Sequence, residues 1–185
     1  MSVSDDAQVQ ILLADYASLD ASSKLNVIGG EISFIALLEN GLSTPFSVVV
    51  SCSVPSRYLN TSYALTVELH DITVGQVVAV PGPDGEPQAL RAQQMVVVPP
   101  LQLPPGLAVP PDAVHAHTMV MSFGGIPLPA GHSFEFRAQV DGQSRDWYRR
   151  FHVLSSAPGV VFGGPANPSS IPGIGEYVVK PPEDD

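Results

Sequence analysis

The sequence predicts an all-β protein: an antiparallel two-sheet β-sandwich of about eight or nine strands over residues 1–154, then an extended Pro/Gly-rich C-terminal arm over residues 155–185. Three observations carry that prediction. The composition, 44% hydrophobic and only 14% charged with 19 Pro and 16 Gly, favours short elements separated by turns. Several stretches alternate apolar and polar residues with the period of two that marks a half-buried strand. Turn residues punctuate those stretches at short intervals. A domain of ~150 residues buries roughly 70% of its unfolded surface, so this one needs neither a metal nor a disulfide to hold it.

Taken in order, Ala7–Ala17 (AQVQILLADYA) reads as the first strand and KLNVIGG follows it after the polar turn LDASS. EISFIALL fits either a strand or a short helix. PFSVVVSCSV is a nearly continuous valine-rich run, the pattern of a strand buried on both faces. In SYALTVELHD, Tyr63, Leu65, Val67 and Leu69 share one face, with Ala64, Thr66, Glu68 and His70 on the other. The stretch from Gly75 to Val98 holds two strands around PGPDGEP, where Asp84-Gly85 supplies the corner.

Val98–Ala113 (VPPLQLPPGLAVPPDA) is too proline-rich for a strand and reads as a rigid extended connection. Beyond it, Val114, Ala116, Thr118 and Val120 face one way, and His115, His117, Met119, Met121 and Phe123 the other. SFEFRAQV turns Phe134, Phe136, Ala138 and Val140 inward, and Glu135, Arg137 and Gln139 outward. Asp141-Gly142 is a two-residue hairpin signal, because both central positions want positive φ. RDWYRRFHVL returns with Trp147, Phe151 and Val153 on one face.

Charge narrows the function. Eight basic and 18 acidic side chains give a net charge of −10, and charging all five histidines brings it only to −5. Phosphate backbones and anionic lipid attract basic patches, so neither nucleic acid nor a membrane surface is an expected partner. No apolar run approaches the ~20 residues of a membrane span. The N-terminus lacks the basic start and apolar core of a signal peptide. The expectation is a soluble protein made in a reducing compartment. Cys52, the one cysteine, forms no intrachain disulfide and reads as a buried structural thiol. Asn60-Thr61-Ser62 matches a glycosylation acceptor but reads as a turn.

The stretches ILLADYASLDASSKLNVIGGEIS, VPPLQLPPG, SFGGIPLPAGHSFEFRAQVDGQ and DWYRRFHV, spanning Gln8 to Val153, together resemble an uncharacterised bacterial and phage family, a domain of unknown function. The resemblance implies a compact β-sandwich and brings no activity with it. This chain differs in lacking the glutamate and tryptophan that members often carry around SCSVPSRYLN, and in the longer stretch after Leu154.

Chemistry-bearing residues are few. Alternation sets His115 and His117 on one strand face about 6.6 Å apart, close enough to share a zinc or copper ion if His132 or His152 converged on them. No carboxylate lies near in sequence, and Met119, Met121 and Phe123 share that face, so a partly buried contact face is the simpler reading. No nucleophile elbow, phosphate loop, zinc-protease helix or dinucleotide frame is present. The expectation is therefore a non-enzymatic protein without a cofactor.

It is expected to dock through protein contacts on a larger particle, such as a phage virion, as a capsid decoration or minor structural protein. Its locations would then be the host cytoplasm during synthesis and the virion afterwards. Self-association into a homo-oligomer stays open. The alternative is a soluble cytoplasmic protein- or ligand-binding module that uses strand-end loops such as 98–112. Trp147, Tyr148, Phe162, Ile171, Ile174 and Tyr177 are the interface candidates, because exposed aromatics carry interface energy out of proportion to their number. For Trp147 a core position competes with that role.

Overall fold

The computed structural model of the chain describes residues 2–82, 84–100, 110 and 113–154. The arm at 155–185, with Phe162, Ile171, Ile174 and Tyr177, and most of the proline-rich connection lie outside the described residues.

In chain order the elements are a short helix α1 (Val3–Asp6), β1 (Gln8–Leu19), β2 (Leu25–Gly30), β3 (Phe34–Ile35), β4 (Phe46–Pro55) and a 3₁₀ turn (Ser56–Tyr58). Then come β5 (Ser62–Asp71), β6 (Gln76–Val77), β7 (Ala79–Pro81), β8 (Pro87–Ala89), β9 (Arg91–Val97), β10 (Val114–Phe123), β11 (Ser133–Val140) and β12 (Gln143–Val153). One sheet has the order β10-β4-β1-β2. The other runs β3-β12-β11-β5-β6, and β9 also pairs with β5.

This is the predicted sandwich, with three refinements. EISFIALL holds neither a helix nor a full strand. Phe34–Ile35 pair in parallel with His152–Val153, the one departure from antiparallel geometry in the two sheets, and Leu37 forms an isolated antiparallel bridge with Ser43. The Gly75–Val98 region splits because β6 and β9 share one edge of β5. The Leu69 backbone bonds both Val78 and Leu90, and β7 and β8 leave there as a separate small hairpin. The N-terminus adds α1, which the alternation did not announce. Ser2 caps it through Asp5, and the Tyr58 hydroxyl and Arg57 guanidinium hold Asp6 against the 3₁₀ turn.

Inward positions match the predicted faces. Leu13, Phe46, Val48, Val50, Cys52 and Val54 from the first sheet meet Tyr63, Leu65, Val67, Leu69, Phe134, Phe136, Ala138, Val140, Phe151 and Val153 from the second, all fully or almost fully buried. Phe46, Phe123, Phe134, Phe136 and Phe151 pack with ring centroids 5.0 to 6.4 Å apart. Burying each such side chain stabilises the fold by about 1.5–3 kcal/mol, and the ring pairs add about 0.5–1.5 kcal/mol apiece. The β11–β12 connection is the predicted two-residue turn, with φ +51° at Asp141 and +75° at Gly142.

Candidate functional site

The two sheets differ in what they turn to the outside. Asp15 is the only Asp, Glu, Lys or Arg in β1, β2, β4 and β10. The strands of the second sheet carry nine: Glu68, Asp71, Arg91, Glu135, Arg137, Arg145, Asp146, Arg149 and Arg150. Register places Gln10, Leu12, Val49, Ser51, Thr118 and Val120 side by side on the outward face of the first sheet. Ser51 and Thr118 hydroxyls meet across the strands at 3.3 Å, and those of Ser47 and Ser122 at 3.4 Å. Small hydroxyl, valine and glutamine side chains make this face flat and uncharged in a chain of net charge −10.

The face continues onto the β1–β2 hairpin. Its three-residue loop carries Ser23 at φ +59°, and the Asp20 carboxylate accepts the Ser22 and Lys24 amides. Every residue of β2 is exposed. Tyr16 and Ile28 stand opposite each other on the outward side, with Ile28 65% exposed, and Leu19, Leu25 and Val27 are exposed on the other side. Gly29, at φ +63°, admits no side chain because the Asp15 carboxylate fills the space a Cβ would take.

β2 is also a free edge, bonded among the described residues to β1 alone. The Asp20 amide bonds the Lys24 carbonyl, so alternation turns the backbone groups of Asn26, Ile28 and Gly30 to β1 and those of Leu25, Val27 and Gly29 away from it. Natural edges are protected by charge, proline or a cover. β2 contains neither charge nor proline.

On the second sheet the charges form a ladder across strands. Arg91 bonds Glu68 at 2.9 Å, Arg137 bonds Glu135 at 2.6 Å and Arg150 bonds Glu135 at 2.9 Å. Burial pushes the Glu135 carboxyl up, but hydrogen bonds and charge from Arg137 and Arg150 outweigh it and hold the group below the usual carboxylate range. Tyr148 is 48% exposed on this face, beneath Arg150. Trp147 takes the core position rather than the interface one. At 8% exposed it belongs to the core, because the alternation that aims Phe151 and Val153 inward aims the indole inward too.

His115 and His117 point to the interior side of the first sheet, at the open rim of the sandwich. The His117 ring meets the Gln94 amide of β9 at 3.2 Å. Burial first, and His115 second, hold its pKa below the ordinary value. His132 instead bonds Asp71 at 2.7 Å, and His152 bonds the Ser133 hydroxyl at 2.8 Å. No group of three His, Cys, Asp or Glu suited to a metal forms among the described residues. The serine and the carboxylate thus belong to two separate pairs, Ser133–His152 and Asp71–His132, with no relay from acid through base to nucleophile. Two hollows formed by described residues are small: about 140 Å³ beside His70, Asp71 and Arg137, and about 290 Å³ beside Asp5, Asp141 and Arg145. Among the described residues no helix is long and apolar enough to cross a membrane.

Sequence reasoning found the strand faces but not the contrast between them. The signal was present: counting charges strand by strand isolates QVQILLADYASL, LNVIGG, FSVVVSCSVP and VHAHTMVMSF at once. Neither a protein-family model nor a curated protein matches the chain.

Proposed function

We propose that this chain is a non-enzymatic structural or assembly protein that docks on a larger particle through the outward face of its first sheet. A phage virion component, either a capsid decoration or a minor structural protein, is the form of that role an acidic β-sandwich with an apolar-studded C-terminal stretch suits best. The observation that carries the docking reading is the segregation of charge, with Asp15 alone in four strands that span one side of the domain. Interface centres are depleted in charge and tolerate polar groups that can pair. An acidic protein meets a neighbour at least electrostatic cost where its own charge is absent.

Two experiments test this. Native protein is sedimented from its source and whatever travels with it is identified by mass spectrometry. Recovery in fast particles at high copy is expected. Recovery only in the slow fraction would displace this reading in favour of the soluble binding module. Gln10→Lys with Ala116→Lys then charges two exposed positions of the face. Stability should change by no more than about 0.5 kcal/mol per site, while particle recovery drops at least tenfold, since burying an unpaired charge costs several kcal/mol. Undiminished recovery would remove the face from the interface.

A further inference from the structure

We infer that the free edge of β2 pairs with the same edge of a second copy of this chain, the two strands running antiparallel about a two-fold axis at Val27. This goes beyond the particle reading and stands without it.

The edge is unprotected. Its outward backbone groups at Leu25 and Val27 lie in regular strand, and β2 holds no charge or proline to discourage pairing. Its apolar side chains are open as well, with Leu25, Val27 and Ile28 at 39%, 36% and 65% exposed.

A second copy fits because the edge is complementary to itself. Lys24 precedes β2 and Glu31 follows it, both exposed. Asp15, across from Gly29, adds to the acidic end. At the other end the Asp20 carboxylate is turned back onto the Ser22 and Lys24 amides. Parallel copies would set Lys24 against Lys24 and Glu31 against Glu31. Antiparallel copies with Val27 facing Val27 set Lys24 opposite Gly30 of the second copy, one residue from its Glu31. With strands about 4.8 Å apart and a rise of about 3.4 Å per residue, those two Cα atoms lie about 6 Å apart, within side-chain reach. The two-fold axis makes this ion pair twice.

The same register joins the apolar rows. Ala17 and Val27 continue into Val27 and Ala17 of the second copy on one face. On the other face the two Ile28 side chains meet on a diagonal, which apolar side chains can span. The two Val27 residues exchange both backbone bonds, and Leu25 faces Gly29, whose positive φ ends the regular ladder. One short strand from each copy buries less than about 1,200 Å², which places the contact in the transient class. At about 0.15 M salt the Debye length is about 8 Å, so most of the −10 charge on each copy is screened while the paired ends stay within that distance.

The test is sedimentation velocity of the full chain at about 5 μM and about 500 μM, with hydrogen exchange of the Leu25–Gly30 peptide at both concentrations. Monomer at the lower concentration, dimer at the higher, and slowing of Leu25 and Val27 exchange with concentration are expected. Val27→Lys sets like charges against each other on the axis at an exposed position, and should weaken association at least tenfold without unfolding the domain. Lys24→Glu and Glu31→Lys should each weaken it, and the two together should restore it. A monomer at 500 μM would overturn the inference. So would a dimer whose β2 exchange is unchanged, which would place the contact elsewhere, and protection of β2 independent of concentration, which would place a segment of the same chain on the edge. Failure of the paired charge reversal to rescue would overturn the antiparallel register. The particle experiment varies Gln10 and Ala116, which lie on β1 and β10, so the two readings fail separately.

Discussion

Glu135 provides a test of what holds the charged face together. Its side chain is 4% exposed, whereas Arg137 and Arg150 keep about half of theirs in water. The two sides of this ion triad should therefore respond unequally. Glu135→Gln removes the charge, but both guanidinium groups stay hydrated, so the expected loss is about 1 kcal/mol. Arg137→Met with Arg150→Met strands a buried carboxylate without a cation, for which the penalty is about 3–5 kcal/mol. The assay is equilibrium urea unfolding followed by the fluorescence of Trp147, the only tryptophan. At a slope of about 2 kcal/mol per molar urea, the midpoint should fall by about 0.5 M in the first variant and by 1.5 M or more in the second.

The pH dependence should also change sign. In the wild type the depressed Glu135 pKa contributes stability above the unfolded value, near 4.3, that is lost as pH falls through the lower folded value. In the double variant burial acts alone and raises the folded pKa. That variant should then gain stability relative to the wild type as pH falls from 7 towards 5. A double variant no less stable than Glu135→Gln at pH 7, with no relative gain on acidification, would refute the argument.

Two more predictions come from the interior. The depressed His117 pKa means that unfolding takes up a proton, so its contribution is complete above the unfolded value of about 6.5 and shrinks as pH falls through the lower folded value. His117→Gln should flatten the fall in melting temperature between pH 6.5 and 5, and an unaltered slope would count against it. The Tyr63 hydroxyl is buried without a hydrogen-bond partner beyond the weak one that the neighbouring Cys52 thiol can offer, so Tyr63→Phe should change the urea midpoint little or raise it. A loss above about 1 kcal/mol would reveal a partner for that oxygen.

What the sequence made legible was whatever depends on local periodicity. The faces of β5, β10 and β11, the doubly buried β4 and the Asp141-Gly142 turn all follow from alternation and turn chemistry. What it hid depends on pairing partners. Phe34 and Ile35 form a strand only because His152 and Val153 arrive beside them, and the splitting of Gly75–Val98 at Val78 and Leu90 is set by the Leu69 backbone. Trp147 was ambiguous because aromatic residues serve cores and interfaces equally well, and only the position of the opposite sheet decides. The uncharged face needed strand order as well: β10, β4 and β1 are far apart in the sequence, and their neutrality becomes a surface only when they lie together.

That strand order also sets a timetable for synthesis. β1 pairs with β4, β4 waits for β10, and the second sheet closes only when β12 reaches β3. At about 5–20 residues per second, roughly 60 residues emerge between the end of β4 at Pro55 and the start of β10 at Val114, a delay of several seconds. During that interval the neutral, valine-rich β4 has a mate on one edge only, and such non-local topologies also fold slowly once complete. The newborn chain is thus at its most vulnerable to clumping before its last third leaves the ribosome, and its yield in a cell should depend more on chaperone supply than on final stability.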